Sequence, residues 1–208
     1  MRLAAYIDGF NLYYGAVKGT PYKWLDLSVL IQLLFPAEQI VALKYFTALV
    51  KPRPGDPNNI NRQLTFLRAL KTRPAVEIIY GTFLSHEVSM VLGGSPLGSP
   101  QFVKVLKTEE KGSDVNIATH MIHDGHRGRY DLAVLVTNDS DLTEPVRIVS
   151  QELRLQVAVV NPHPRQASRS LIKYATTVRQ IRPGLLAASQ LPASLRDANG
   201  TIHKPPDW

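Results

Sequence analysis

Leu3-Ala4-Ala5-Tyr6-Ile7-Asp8-Gly9-Phe10-Asn11 is the stretch from which the fold can be read. Five apolar residues in a row, including an aromatic and a β-branched side chain, describe a buried strand, and the run stops at Asp8-Gly9 with the polar Asn11 just beyond. The strand therefore delivers an acid into the loop at its carboxyl end. Downstream, Asn11 to Val17 can turn helically, and Asp26 can cap a helix whose Leu27, Leu30, Ile31 and Leu34 recur at helical spacing until Pro36 ends it. Ile40 to Val50 reads as a second strand, Asn58 to Leu70 as a helix with apolar Ile60, Leu64, Leu67 and Leu70, and Ala75 to Tyr80 as a third strand. Strands separated by helices in this rhythm specify an α/β class, with a mainly parallel sheet and helices on both faces.

The rhythm breaks between Phe83 and Thr108, where two alternating stretches flank Gly93-Gly94-Ser95-Pro96-Leu97-Gly98-Ser99-Pro100, a composition suited to a hairpin tip. An inserted β-ribbon over residues 83–108 is expected. The alternation resumes with a helix from Ser113 to Asp124, a strand from Leu132 to Thr137, a helix after Asp141, a strand from Leu155 to Val160, a short helix over Ala167 to Tyr174 and a last strand, Thr177 to Ile181. From Pro183 the composition shifts to Ala, Ser, Pro and Asn without periodicity. The chain thus reads as one domain over residues 1–182 followed by an irregular C-terminal tail, 183–208.

Composition narrows the chemistry. The 208 residues are 44% hydrophobic, enough for one sizeable core. Lys and Arg outnumber Asp and Glu by 24 to 17, and the net charge of +7 favours an acidic partner such as nucleic acid. The absence of cysteine removes disulfide scaffolds, thiol catalysis, zinc ribbons and iron–sulfur clusters. No apolar run approaches the roughly 20 residues of a membrane span, and Asp8 interrupts the N-terminal run before a signal-peptide core forms. A soluble, cytoplasmic protein without membrane contact is expected.

Four acids fall where such a sheet presents ligands. Asp8 ends the first strand, Asp139 and Asp141 follow the strand Leu132 to Thr137, and Asp114 opens a helix. The carboxyl ends of strands border the binding crevice of an open α/β sheet, so Asp8, Asp139 and Asp141 can converge there, with Asp114 reaching in from its helix. Each acid alone is accounted for by a turn or a helix cap; the joint placement is what points to chemistry. A cluster of like charges repels itself, and a hard divalent cation, Mg²⁺ or Mn²⁺, would neutralise it through oxygen ligands. Acids holding a metal in a chain that is basic overall suit phosphodiester hydrolysis, the ion polarising the phosphoryl group while Lys and Arg hold the polyanion.

Three motifs, in order, carry a resemblance. Tyr6-Ile7-Asp8-Gly9-Phe10-Asn11-Leu12, Glu110-Lys111-Gly112-Ser113-Asp114-Val115 leading to Met121, and Val136-Thr137-Asn138-Asp139-Ser140-Asp141-Leu142 resemble the successive signatures of NYN domains, within the PIN-like nucleases. The resemblance runs from Leu3 to about Ile181. It implies a three-layer, doubly wound sheet and a Mg²⁺- or Mn²⁺-dependent ribonuclease whose catalytic and metal-holding acids are Asp8, Asp114, Asp139 and Asp141. It further implies that Asn11 orients Asp8 or a substrate phosphate, and that Lys111 and Asn138 sit beside the scissile group. Two positions depart from the family pattern: His120 stands where members often carry another acid, and Asn138 where they often carry Gly. His120 reads as a proton shuttle, a phosphate contact or a packed helix histidine.

Other residues offer RNA contacts. Arg165, Arg169, Lys173, Arg179 and Arg182 follow Asn161 with no acid among them, a candidate phosphate track. Lys51, Arg53, Arg62, Arg68, Lys71 and Arg73 form a second stretch, equally consistent with a solvated helix face. Tyr13 is the best placed of Tyr13, Tyr14, Tyr22 and Trp24 to stack on a base, although rings near a core strand more often pack. The ribbon can overhang the acids and clamp RNA, or offer its edge to a second copy or a regulatory protein. His120, His123 and His126 are spaced poorly for a shared tetrahedral zinc.

Competing enzyme classes lack their signatures. Asp8-Gly9-Phe10 lacks the second acid of a haloacid-dehalogenase phosphatase, and the chain has no Gly-x-Gly-x-x-Gly, Walker loop or Gly-x-Ser-x-Gly elbow. The sequence therefore predicts a metal-dependent endoribonuclease acting on single-stranded or structured RNA, in processing or as a toxin. The rival is a non-catalytic RNA-binding scaffold that retains the fold. Retention of four acids facing phosphates argues against that rival, since an RNA binder gains nothing from them.

Overall fold

The computed structural model describes residues 1–52, 55–95, 98–164, 166–206 and 208. In chain order the first elements are β1 (Arg2–Asp8), α1 (Gly9–Leu12) running into a π-helical turn (Tyr13–Val17), α2 (Leu27–Leu34), β2 (Gln39–Thr47), α3 (Asn59–Leu70) and β3 (Val76–Tyr80). A ribbon of β4 (Thr82–Val91) and β5 (Phe102–Lys111) follows, then α4 (Ser113–His126), β6 (Leu132–Val136), α5 (Thr143–Arg147), β7 (Gln156–Asn161), α6 (Arg169–Tyr174) and β8 (Thr177–Gln180). The chain closes with α7 (Pro183–Ala188) and the hairpin β9 (Ser194–Asp197) and β10 (Gly200–His203).

Six strands form one sheet in the order β3-β2-β1-β6-β7-β8, with every neighbouring pair parallel. The period-two geometry of a strand divides β1 between two cores: Leu3, Ala5 and Ile7 join one, while Ala4 and Tyr6 join the other. The first core is completed by Leu27, Leu30 and Ile31 of α2 and Phe66 and Leu67 of α3. The second is completed by Ile117 and Met121 of α4, Val146 of α5 and Leu171 of α6. Each fully buried Leu or Ile contributes roughly 1.5–3 kcal/mol. This is the doubly wound α/β architecture that the strand–helix rhythm predicts, and the winding reverses between β1 and β6.

Local chemistry sets the element ends. Asp26 caps α2, its Oδ1 accepting from the backbone N–H groups of Ser28 (3.0 Å) and Val29 (3.3 Å), and its other oxygen pairs with Arg73 at 2.8 Å. Gly112 turns the ribbon into α4 with φ of 98°, a left-handed conformation that a β-carbon would strain. The ribbon, expected over 83–108, extends by a few residues to Thr82 and Lys111, because cross-strand pairing runs without a break from Val91 and Phe102 to Thr82 and Lys111. Among the described residues no helix is long and apolar enough to cross a membrane.

The stretch after Arg182 has more regular structure than its composition suggests. It holds α7 and the β9–β10 hairpin, and long-range contacts dock it on the first core. Trp24 Nε1 donates to the Pro192 carbonyl at 2.8 Å, Arg68 forks onto Asp197 at 2.5 and 2.7 Å, and the Trp208 ring lies 5.7 Å from Phe66 and 6.4 Å from Trp24. Elements this short show no periodicity. Their order comes from partners more than a hundred residues away.

Candidate active site

The crevice lies at the carboxyl ends of β1 and β6, where the winding reverses. Asp8 is only 6% exposed. Its Oδ1 accepts from the backbone N–H of Asn11 at 2.9 Å, which caps α1, and its Oδ2 accepts from the Thr137 hydroxyl at 3.1 Å. Burial pushes Asp8 above the ordinary carboxylate range, and the charge of Asp139 adds to the push, against the hydrogen bonds that favour the anion.

Asp139 continues the same network. Its backbone N–H donates to Thr137 Oγ1 at 3.2 Å, and its carboxylate caps a 3₁₀ turn by accepting from the Asp141 N–H at 2.9 Å. One threonine hydroxyl thus links the ends of two adjacent strands. Asn11 supplies a second link: its Oδ1 accepts from the Asn138 N–H at 3.0 Å and lies 3.0 Å from His163 Nε2. Because a backbone N–H can only donate, the atom facing it is the Asn11 oxygen, and His163 Nε2 must carry a proton. Asn138 in turn accepts from the Ser168 N–H at 2.6 Å, which ties the loop to the start of α6.

Asp114 enters from the first turn of α4, whose end is fixed by Glu110 accepting from the Ser113 N–H (3.2 Å) and hydroxyl (2.8 Å). Its carboxyl is pushed up to about 6, first by burial and then by the charges of Asp8, Asp139, Glu110 and Asp141. Asp8, Asp139 and Asp141 all act electrostatically on Asp114, with Glu110 as a fifth acid. Among the described residues no three acidic or histidine side chains stand close enough to clasp one ion as placed. The donors are nonetheless all oxygen, and their mutual repulsion is what a hard divalent cation relieves.

The remaining predicted residues divide. Asn11 and Asn138 lie within the network. Tyr13 is 36% exposed at the start of the π-helical turn, its ring edge-on to Tyr14. Arg169 is exposed on the first turn of α6, one residue after the Ser168 that holds Asn138. Lys173 lies further along that helix, with its ammonium 5.0 Å from the Tyr174 ring, and Arg165 lies outside the described residues.

Two expected contacts point elsewhere. Lys111 pairs with Glu109 on the exposed ribbon at 3.4 Å. His120 faces Lys44, whose ammonium is 3.1 Å from Nδ1 and 2.6 Å from Asp124; burial, then Lys44, pushes its imidazole down. His120 is the packed helix histidine, set against the Phe46 ring. The reading of the sequence missed Thr137, Glu110 and His163. Thr137 and His163 follow the ends of β6 and β7, so the rule that strand ends border the crevice would have found both.

Residues 2–182 match the NYN domain. The chain is 34% identical over 238 aligned positions to the 6-hydroxy-3-succinoylpyridine 3-monooxygenase HspA of Pseudomonas putida, an alignment covering all of this chain and 75% of that protein. A solved structure of a protein of unknown function from Vibrio parahaemolyticus superposes with a TM-score of 0.54 at 21% identity, covering 88% of this chain and 93% of the other. That likeness concerns the fold. With the doubly wound sheet and the acids at its crevice, the match along nearly the whole domain means that the chain belongs to the NYN domain family, a nuclease-like family.

Proposed function

We propose that the protein is a metal-dependent endoribonuclease that hydrolyses phosphodiester bonds in single-stranded or structured RNA. The observation that carries this reading is that the Asp8 carboxylate and the Asp139 backbone N–H meet at the Thr137 hydroxyl, at the ends of β1 and β6, while Asp114 enters from α4 with its carboxyl pushed up by burial and the neighbouring acids. A carboxylate cluster of this kind is unfavourable unless a cation joins it. Asp8, Asp114 and Asp139 would hold Mg²⁺ or Mn²⁺, with Asp141 completing the set. Such an ion, when bound, polarises a phosphoryl oxygen and lowers the pKa of water.

The chain's own groups then have distinct tasks. Thr137 and the Asn11 N–H fix both oxygens of Asp8, and Asn11 holds the 138–141 loop through Asn138. Arg169, exposed on the first turn of α6, would take a phosphate of the RNA beside that loop, with Lys173 further along the same helix. Tyr13 offers a partly exposed ring to a base.

A second reading follows from the Pseudomonas putida relative, whose identity extends along this whole chain: oxygenation of a small hydroxypyridine acid. One pair of experiments separates the two. Labelled single-stranded RNA is incubated with Mn²⁺, Mg²⁺ or EDTA beside the Asp139→Asn variant, and 6-hydroxy-3-succinoylpyridine is incubated with dioxygen and a two-electron reductant. Metal-dependent cutting that is lost in the variant supports the nuclease. Turnover of the pyridine with intact RNA overturns it in favour of the relative's chemistry, and RNA binding without cutting or turnover leaves the scaffold.

A further inference from the structure

A cavity of about 450 Å³ opens beside the acid site and shares with it the segment that follows Asp8. Phe10, Tyr13, Tyr14, Tyr45, Phe66 and Trp208 contribute aromatic rings to its wall. The wall is stiff where it meets the core. Tyr45 and Phe66 are buried, with their rings edge-on at 6.3 Å, and Tyr45 presses so closely on Gly9 that a β-carbon there would lie 2.7 Å from its ring. The amide of Gln63 is committed to the backbone of Ala48 and Val50, and Asp56 is neutralised by Arg62. Lys23, half-buried in the lining, has no acid partner among the described residues.

These features select a ligand class. The volume falls within the range of small-molecule sites. Rings on several sides recognise the faces of another ring, whatever its substituents. A cationic ligand is disfavoured by the Lys23 ammonium, and an anionic arm is favoured by it. We propose that this cavity binds a planar heteroaromatic ring carrying one anionic arm, the ring held among the aromatic walls and the arm on Lys23. Two sources share that chemistry: one nucleotide unit of an RNA whose next phosphate lies at the acids, and a free heteroaromatic acid. The first source rests on the nuclease reading, whereas binding of the ring and its arm to the cavity does not.

The test uses the full chain in EDTA, so that hydrolysis plays no part. Uridine and adenosine monophosphates, the two nucleosides without phosphate, and nicotinic acid are titrated one at a time, with heat of binding as the readout. Saturable one-site binding is expected from at least one anionic probe below roughly 1 mM. Lys23→Ala should weaken the monophosphates or nicotinic acid at least tenfold while leaving nucleoside binding unchanged. Trp208→Ala should weaken every probe, and Asp139→Asn should weaken none. Preference for the monophosphates identifies an RNA unit as the source, and preference for nicotinic acid identifies a free acid. Absence of saturable binding by every probe, or wild-type affinity in both Lys23→Ala and Trp208→Ala, overturns the site. Neither result bears on RNA cleavage, which fails or stands by the Asp139→Asn comparison.

Discussion

Asn11 Oδ1 lies 3.0 Å from the Asn138 backbone nitrogen, joining α1, which directly follows β1, to the loop after β6 across the reversal of the sheet. The β1–α1 junction and the loop after β6 carry three of the four acids, so their separation depends in part on one amide oxygen. Asn11→Ala removes that acceptor and also strands the protonated Nε2 of His163. Because Asn11 acts through the loop, the expected loss of RNA cleavage is about 10–100-fold, the range for groups that orient metal-holding side chains. The variant should also need more Mn²⁺ to reach half its activity. A loss of rate with an unshifted Mn²⁺ requirement would argue against this positioning role.

Asp139→Asn and Asp114→Asn test the acids directly. Each substitution keeps the shape and removes a charge from a cluster that faces phosphates. Cleavage should fall below about one hundredth of wild type, beyond the loss expected for an orienting partner, while RNA affinity in EDTA stays equal or rises. Cleavage at the wild-type rate in both variants would remove these acids from the chemistry.

The raised carboxyl of Asp114 makes a pH prediction for the metal-free protein. Its folded value near 6 exceeds the ordinary carboxylate value of about 3.9, so the native state keeps a proton that the unfolded chain releases. Stability therefore declines as pH rises from about 4 to 6, and the full cost is present above that window. Asp114→Asn abolishes the cost. After allowance for solvent screening the gain at pH 7 should be about 1 kcal/mol, or roughly 2–4 °C in Tm, and it should vanish at pH 4. A melting series across that range checks both the sign and the window.

Much of this arrangement was legible before the fold was known. The run from Leu3 to Ile7 announces a buried strand, Asp8 closes it and Asp139 lies just beyond β6, so the crevice rule places them together. The links between loops were not legible, because Asn11 and His163 meet across 152 positions and a hydrogen bond leaves no periodic trace. His120 shows a different limit. A histidine on a helix reads alike whether it faces a crevice or a buried lysine, and only the packing of α4 on β2 decides. The segment after Arg182 was obscured for a related reason, since its short elements are held from far off, by Arg68 of α3 on Asp197 and by Trp24 of the first core on Pro192.

Arg169 tests the basic track. If its guanidinium meets an RNA phosphate, Arg169→Ala should weaken binding uniformly across sequences. The slope of log affinity against log salt should also fall by about 0.7–1, the loss of one counterion release. An unchanged slope would exclude that contact while leaving the acids untouched.

The most severe effect on folding is expected away from the acids, at the buried pair of Lys44 and Asp124. Asp124 is 2% exposed and accepts from Lys44 at 2.6 Å, from the Tyr6 hydroxyl at 2.8 Å and from Arg129 at 2.8 Å. Burial alone would raise its carboxyl, but these donors outweigh burial and hold it below the ordinary range. Asp124→Leu leaves the buried Lys44 ammonium with only the exposed Glu77, 3.8 Å away, as its anion, and breaking a buried pair in this way typically costs about 3–5 kcal/mol. Lys44→Met with Asp124→Leu removes both charges, and replacing a buried pair by apolar groups is often close to neutral. The double variant should therefore recover most of the loss in urea midpoint seen in the single variant. Additive losses would instead mean that Tyr6 and Arg129, rather than Lys44, account for the carboxylate's place in the core.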